Sequence, residues 1–488
     1  MDIQTSNNKE KQSQLQQQLD EATARQQPEQ IILANTEMSA FLLSQNNFSE
    51  ARTFARAALR DLEELANSTP QLEAAVYTQL TQTFVKSYDY PLTAAYSERL
   101  LPLSRQLEDV EKEIIALKNL GIVAATKANY KEAMEYFIEV LEKGKAASAT
   151  GTTIRQMVAQ CTINIATIYA NLFNYKDALR RYDDVLSDYA DVLSTNTRSI
   201  VSNNVGNLYL SNGANEKALH YFEQSYELAH QSGTTGSQTG AQNNRNTQAH
   251  ALAQISRALL AMGRLEQASE KAEAAAALIE TLGDTPARAI NLNNFGDICL
   301  RRGDFAKAGK YAGKAAAAAK SADDNTNEIR AYKLLSAIFE AQDDFKQALK
   351  YQKIYGEMQL RFSEVQRNRM ALDLEINYSL KEKQKAIEDL RRENEYQAIL
   401  LENKEEIARQ NEQLTEANEE LKQFAYVASH DLKEPLRMIG SYTQLIQKLF
   451  AKEVDESTQS YFDYVSGGVK RMNNLLDALL QYATIGRS

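Results

Sequence analysis

Apolar residues recur along this chain at helical spacing, broken at near-regular intervals by short polar turns that end in an aromatic or apolar residue. Five turn-and-helix starts share one form. They read Asn47-Phe48-Ser49-Glu50-Ala51, Asn129-Tyr130-Lys131-Glu132-Ala133 and Asn174-Tyr175-Lys176-Asp177-Ala178, then Asp304-Phe305-Ala306-Lys307-Ala308 and Asp344-Phe345-Lys346-Gln347-Ala348. Weaker copies end at Ala218 and Ala268, and Thr93 holds the alanine position in the most degenerate one. Twelve residues before these positions stands another small residue: Gly121, Ala166, Gly206, Ser256, Gly296 and Ser336. Asn119, Asn164, Asn204 and Asn294 each stand two residues before that. Two antiparallel helices approach closely only where the side chains at the crossing are small, so the pattern predicts stacked helical hairpins. Successive alanine positions lie 42, 40, 45, 40, 50, 40 and 40 residues apart. The longest interval contains a polar, Gly-rich insert, Gln231 to Thr247, which reads as a mobile loop.

From Phe362 to Lys422 the repeats stop, and an uninterrupted charged helix without Gly or Pro follows. Ile407, Leu414, Leu421 and Ala428 recur every seven residues, with Asn411, Asn418 and Ala425 four after the first three. Polar residues at one seam position favour a parallel dimer in fixed register. A second seam, through Gln410, Ala417 and Phe424, stays open. Beyond it, Leu432, Leu436, Ile439, Ile446 and Leu449 form one apolar stripe; Phe462, Val465, Val469, Met472, Leu476, Leu479 and Ala483 form another. Lys452 to Ser457 reads as the turn between them, with Asp455 and Ser457 as caps. Such a hairpin has too little core to stand alone, and pairing two copies gives a four-helix bundle.

The expectation is therefore an all-α chain, which its Ala, Leu, Glu, Gln and Lys content favours. Residues 1–27 form a polar tail, 28–358 an α-solenoid of about eight repeats, 359–422 a coiled-coil helix and 423–488 a dimerising hairpin. A net charge of −10 without a dense Lys/Arg run argues against nucleic acid as a partner. Cys161 and Cys299 read as buried free thiols, and neither their number nor their spacing suggests a metal site. His220, His230 and His250 lack Cys or carboxylate neighbours at ligand spacing and read as ordinary structural residues. Gly467-Gly468 lies inside a helix with no Walker-type lysine. No secretion signal opens the chain, and nowhere do eighteen apolar residues run together, so a cytoplasmic protein is expected. The alternative is a membrane-associated natural form from which a span near Ala398-Ile399-Leu400-Leu401 has been removed.

The chemistry concentrates in Phe424-Ala425-Tyr426-Val427-Ala428-Ser429-His430-Asp431-Leu432-Lys433-Glu434-Pro435-Leu436-Arg437. An imidazole is a good nucleophile near neutral pH because much of it is uncharged there. An adjacent carboxylate, here Asp431, fixes its tautomer and balances the charge that develops during attack. Pro435 has no N–H, which frees the carbonyl of Asp431 and loosens the helix beside the histidine.

This run resembles the phosphoacceptor box of sensor histidine kinases, in particular the phytochrome-like branch with its F-x-x-x-x-S-H-D-L-x-E-P-L-R pattern. The repeats are similar to tetratricopeptide repeats, with longer helices that stretch the period from 34 to about 40 residues. A HEAT array has a similar period but fits the small-residue pair poorly. The resemblance implies that His430 attacks the γ-phosphate of ATP and passes the phosphoryl group to an aspartate of a response regulator. Asp431 would orient the imidazole or act as base, with Glu434 and Pro435 completing the box. ATP and Mg would be held by a separate ATP-binding kinase domain, which nothing in this chain resembles. The chain itself is expected to bind no cofactor and to be inactive alone. Many relatives place Thr or Asn where Glu434 stands, and that departure puts regulator dephosphorylation in question. Implied partners are a second copy of the chain, the response regulator, the ATP-binding domain and an unknown peptide or protein held by the concave face of the repeats. The competing reading is a tetratricopeptide scaffold or phosphotransfer protein that never had a kinase domain.

Overall fold

The computed structural model describes residues 2–147, 151–232, 238–282, 285–449 and 455–484, and every regular element among them is a helix. In chain order these begin with α1 (Asp2–Ala24), α2 (Pro28–Ser44), α3 (Phe48–Glu64), α4 (Pro70–Lys86), α5 (Tyr90–Gln106) and α6 (Val110–Thr126). Then come α7 (Tyr130–Ala147), α8 (Thr152–Asn171), α9 (Tyr175–Asp188), α10 (Thr195–Ser211), α11 (Asn215–Ser232) and α12 (Gln238–Ala261). The chain continues with α13 (Leu265–Leu282), α14 (Ala287–Arg301), α15 (Phe305–Ser321), α16 (Asn325–Ala341), α17 (Phe345–Leu449) and α18 (Glu456–Thr484). Contacts divide it into two bodies, Met1–Leu380 and Lys381–Ser488.

The first body is a helical-repeat solenoid of eight hairpins, α2/α3 through α16 and the start of α17. The small-residue pair closes several of these crossings in one of two ways. Where the first helix carries a hydroxyl, it donates to the carbonyl at the alanine position: Ser39 to Ala51 (2.8 Å), Ser256 to Ala268 (2.8 Å) and Ser336 to Ala348 (3.1 Å). Where it carries glycine, a neighbouring side chain fills the space: a Cβ on Gly121 would lie 2.5 Å from the Phe137 ring, one on Gly206 2.6 Å from the Phe222 ring and one on Gly296 2.7 Å from Leu334. Both rings are fully buried.

The turns explain how the hairpins close so tightly. Each first helix is followed by a residue with left-handed backbone, glycine at Gly213, Gly263 and Gly303 but a side-chain-bearing residue at Asn46, Tyr88, Ala128, Phe173 and Asp343; the second helices α5 and α15 end the same way at Glu108 and Asp323. The amide after it reaches back to satisfy the helix end, as from Asn47 to Leu42 O and from Asn174 to Tyr169 O. That same Asn or Asp then caps the next helix, as Asn174 does by accepting from the Asp177 amide at 3.2 Å.

Two expectations change here. Residues 2–24, read from sequence as part of a polar tail, are helix α1, which seats Leu15 among Met38, Phe41, Leu42 and Leu43 of α2. The insert read as a loop from Gln231 to Thr247 is helical from Gln238, because α12 runs on as the first helix of its repeat. Gln248 there donates to Ala229 O, and Asn244 is buried. Residues 233–237 of that insert lie outside the described residues.

α17 does not leave the repeats where the last hairpin closes. Its residues 362–380 lie against the turn between α8 and α9, almost two hundred residues away in sequence. Phe362 meets the Phe173 ring edge-on at 5.8 Å. Arg369 donates to Asn171 O (3.3 Å), Asn174 to the Asp373 carboxylate (3.0 Å) and the Tyr169 hydroxyl to Asn377 (3.4 Å). Ile376 is fully buried in the core that α6 to α10 share, with Leu372 and Leu380 packed at its margin.

The second body contains the rest of α17 and α18. Asp455 caps α18 by accepting from the Thr458 amide (2.9 Å) and from the Ser457 hydroxyl. Among the described residues no helix is long and apolar enough to cross a membrane, and no cluster of His, Cys, Asp and Glu could hold a metal.

Gly206→Val is expected to lower the stability of the repeats by about 1–3 kcal/mol, because the Phe222 ring has nowhere to go. Pairing it with Phe222→Ala should cost less than the two single changes summed, as thermal unfolding of the four proteins would show.

Candidate functional site

Helical periodicity decides where the histidine of the box points. Ser429, Lys433, Leu436 and Gly440 fall on one line of α17, and that line faces α18. Ser429 and Leu436 are buried, Lys433 pairs with Asp477, and a Cβ on Gly440 would touch Val469 at 3.4 Å. His430 stands one residue on from Ser429, turned about 100° away from that line, and its side chain is 72% exposed. The imidazole therefore projects to solvent from a rigid helix rather than into the hairpin.

Its Nδ1 lies 3.2 Å from the Asp431 carboxylate, itself equally exposed. A carboxylate can only accept, so this contact holds the proton on Nδ1 and leaves the lone pair on Nε2, facing water. Glu434 and Pro435 are exposed on the following turn. The helix continues through Pro435, which leaves the Asp431 carbonyl without its i+4 amide partner. The Ser429 hydroxyl is sheltered with no hydrogen-bond partner.

Beside the histidine, Leu432, Pro435, Leu436 and Ile439 of α17 and Met472, Leu475 and Leu476 of α18 line an open apolar groove. Leu432, Ile439, Met472, Leu475 and Leu479 are each about half exposed or more. Further up α17, Ile407, Leu414 and Leu421 are exposed. So much unpartnered apolar surface is costly for a single copy.

The repeats hold polar chemistry that sequence reasoning missed. A row of side chains links successive first helices α10, α12, α14 and α16. His250 Nδ1 meets Asn203 Oδ1 at 3.2 Å, Gln254 donates to Asn207 (2.8 Å), and Arg330 donates to Asn294 (2.9 Å). His250, set aside as an ordinary structural residue, is pulled down to about 4 by burial, with Arg257 adding to the effect. Arg330 is pulled down to about 9, first by burial and then by neighbouring Arg257. One of its guanidinium nitrogens is sheltered without a partner, and so is Gln254 Oε1. The signal in sequence was a column of Asn, Gln, His and Arg at core-side positions, and it shows only once the helices are stacked. Of the two cysteines, Cys161 is buried, which pushes its thiol up to about 12, while Cys299 is half-buried.

Comparison with known proteins agrees with both bodies. Residues 420–488 match the model of the His Kinase A (phospho-acceptor) domain, and residues 158–231, 247–321 and 288–353 match that of the tetratricopeptide repeat. The phytochrome-like protein Cph1 of Synechocystis sp. is 38% identical over 87 residues, which are 18% of this chain and 12% of that protein. Cyanobacterial phytochrome A of Nostoc sp. is 37% identical over 87 residues, 18% of this chain and 11% of its own length. The chain thus spans only about an eighth of the curated relatives it matches. In fold, the apo quorum sensor NprR from B. thuringiensis covers 72% of this chain and 99% of its own, with a TM-score of 0.51 and 16% identity. The apo form of RapI gives the same TM-score at 13% identity, over 72% of this chain and 98% of its own.

If the proline loosens the helix as its missing N–H requires, Pro435→Ala should slow amide exchange across residues 431–439. The change is worth up to about 3 kcal/mol of local helix stability, and exchange mass spectrometry would read it. The chain joins a tetratricopeptide-repeat region to a phosphoacceptor domain of the histidine-kinase A type.

Proposed function

We propose that this chain is the sensor and phosphoacceptor portion of a two-component histidine kinase, with His430 as the residue that carries phosphate. The observation behind it is a solvent-facing imidazole whose Nδ1 is held by Asp431, inside a segment that matches the phosphoacceptor family model. Nε2 attacks the γ-phosphorus of ATP, the bond to the β,γ-bridging oxygen breaks, and ADP leaves. The new N–P bond then breaks in turn when a carboxylate oxygen of a response-regulator aspartate takes the phosphoryl group. ATP and its Mg come with a separate catalytic domain, because phosphoryl transfer needs charge stabilisation that this exposed helix does not supply. Asp431 keeps the nucleophilic nitrogen unprotonated and offsets positive charge on the ring as the bond forms. Glu434 stands where many relatives place Thr or Asn to position water, which leaves dephosphorylation of the regulator in question.

Dimerisation belongs to the same proposal. The exposed stripes of α17 and α18 complement a second copy of themselves, and two hairpins would close the apolar groove into a four-helix bundle. The heptads from Ile407 to Ala428 would pair in parallel above it, with Asn411 and Asn418 fixing register. The repeats would be the input side. Their row of Asn, Gln and Arg side chains, with polar atoms lacking partners, supports a peptide or protein ligand that supplies them.

With an ATP-binding histidine-kinase domain added together with ATP and Mg, the chain should acquire acid-labile phosphate. His430→Ala should abolish the label, and Asp431→Asn should slow its appearance by about a hundredfold. Label that survives His430→Ala removes the assignment. Light scattering at micromolar concentration should give twice the mass of one chain, and Leu432→Glu with Leu479→Glu should return it to one.

A further inference from the structure

We infer that residues 362–380 of α17 are a releasable clasp, docked on the α8–α9 turn, through which the repeats restrain the helix that continues toward His430. The coupling to His430 rests on the phosphoacceptor reading above; the clasp itself does not.

The contacts have the character of an interface between elements rather than of a repeat crossing. No small-residue pair lies beneath them. Instead a single apolar anchor, Ile376, enters the core of another part of the solenoid, flanked by Leu372 and Leu380 one turn to either side. One fully buried side chain with two part-buried neighbours is a small apolar contact beside the continuous face that each repeat crossing buries. Beyond these leucines and the Phe362–Phe173 ring pair, the contacts beside the anchor are polar. The Asp373 carboxylate accepts from Asn174 through one oxygen, while the other is sheltered with no partner. Asn377 accepts from Tyr169, Arg369 reaches the Asn171 carbonyl, and Lys131 of α7 stands 3.8 Å from Glu375. A half-satisfied polar network is a poor permanent seal. The turn that receives the helix carries its own strain, since Phe173 holds a φ of 61° with a full side chain while its ring packs on Phe362.

Asp373 sets how tightly the clasp closes. Burial raises its carboxyl above the usual carboxylate range, and Asp177 of α9 adds to this, against hydrogen bonds from Asn174 and Asn377. The other charged groups nearby are Arg369 and Glu375 on its own helix, Lys131 on α7, and Arg180 and Arg181 on α9. A carboxyl whose pKa is higher docked than free favours docking when protonated. That contribution is complete below the free-state value and is lost as pH rises through the docked one, so the clasp is tightest in mild acid.

The full chain tests this with two substitutions of opposite sense. Asp373→Asn removes the charge and keeps the shape, and should slow amide exchange across residues 366–380 by about threefold or more at neutral pH. Ile376→Asp puts a charge where the anchor sits, and should speed exchange there by about tenfold or more, with α12 to α16 unchanged. Lowering the pH should slow exchange in the parent chain beyond the intrinsic trend and leave Asp373→Asn unmoved. The two variants should also shift the rate at which an added ATP-binding domain labels His430, in opposite directions. Unchanged exchange in both variants would overturn the clasp, as would Ile376→Asp loosening every repeat in step, which marks an integral core element. Equal labelling rates despite altered exchange would overturn the restraint on His430. A parent chain that takes no label refutes the phosphoacceptor reading instead, and the exchange data still decide on the clasp.

Discussion

Two helices can lie against each other at the distance this solenoid requires only if almost nothing projects between them, and that steric condition governs the first 348 residues. It is met by an alanine, once a threonine, on the second helix and by a glycine, alanine, serine or threonine on the first. What differs between hairpins is how the remaining space is used. A serine converts the close approach into a hydrogen bond to the opposite carbonyl; a glycine lets a bulky side chain, Phe137, Phe222 or Leu334, fill the gap. Each hairpin buries its face mostly against its neighbours, so the array is held by a sum of local terms rather than one central core. The clasp is the exception, since it joins positions 199 and 208 residues apart in the chain.

The second body obeys a different constraint. A single helix hairpin cannot cover its own apolar stripe, and the one here leaves Leu432, Met472 and Leu479 in water. His430 sits at the edge of that stripe, on the side that stays exposed. The helix runs unbroken beneath it while the imidazole is exposed, with a carboxylate on one ring nitrogen and solvent on the other. The same helix is loosened one turn later by Pro435, so continuity and give lie side by side.

The repeats were legible because their signal is a pair of small residues at fixed separation, which sterics alone interprets. The histidine box was legible because its residues are consecutive. α1 was not, since Leu15 is almost alone among glutamines and its partners in α2 become visible only in three dimensions. The helical part of the Gln231–Thr247 insert was hidden by composition: Asn, Gln and Thr look like loop, yet tertiary contacts at Asn244 and Gln248 carry them as helix. Neither the clasp nor the polar row could be read in advance. Arg257, Arg330 and Asp373 are indistinguishable in sequence from surface charges, and what sets them apart is which distant helix lies over them.

The left-handed turns bear on how far this array can be made more stable. A side chain in that conformation costs about 1–2 kcal/mol relative to glycine, and three of the turns already use glycine. Glu108 and Ala128 could follow them, since no ring contact of the kind Tyr88 makes with Tyr90 ties them to the turn. Phe173 could not, because its ring is what Phe362 rests on. Selection for heat resistance would be free to relax turns such as those at Glu108 and Ala128 and would be held back at Phe173, leaving strain concentrated where α17 docks.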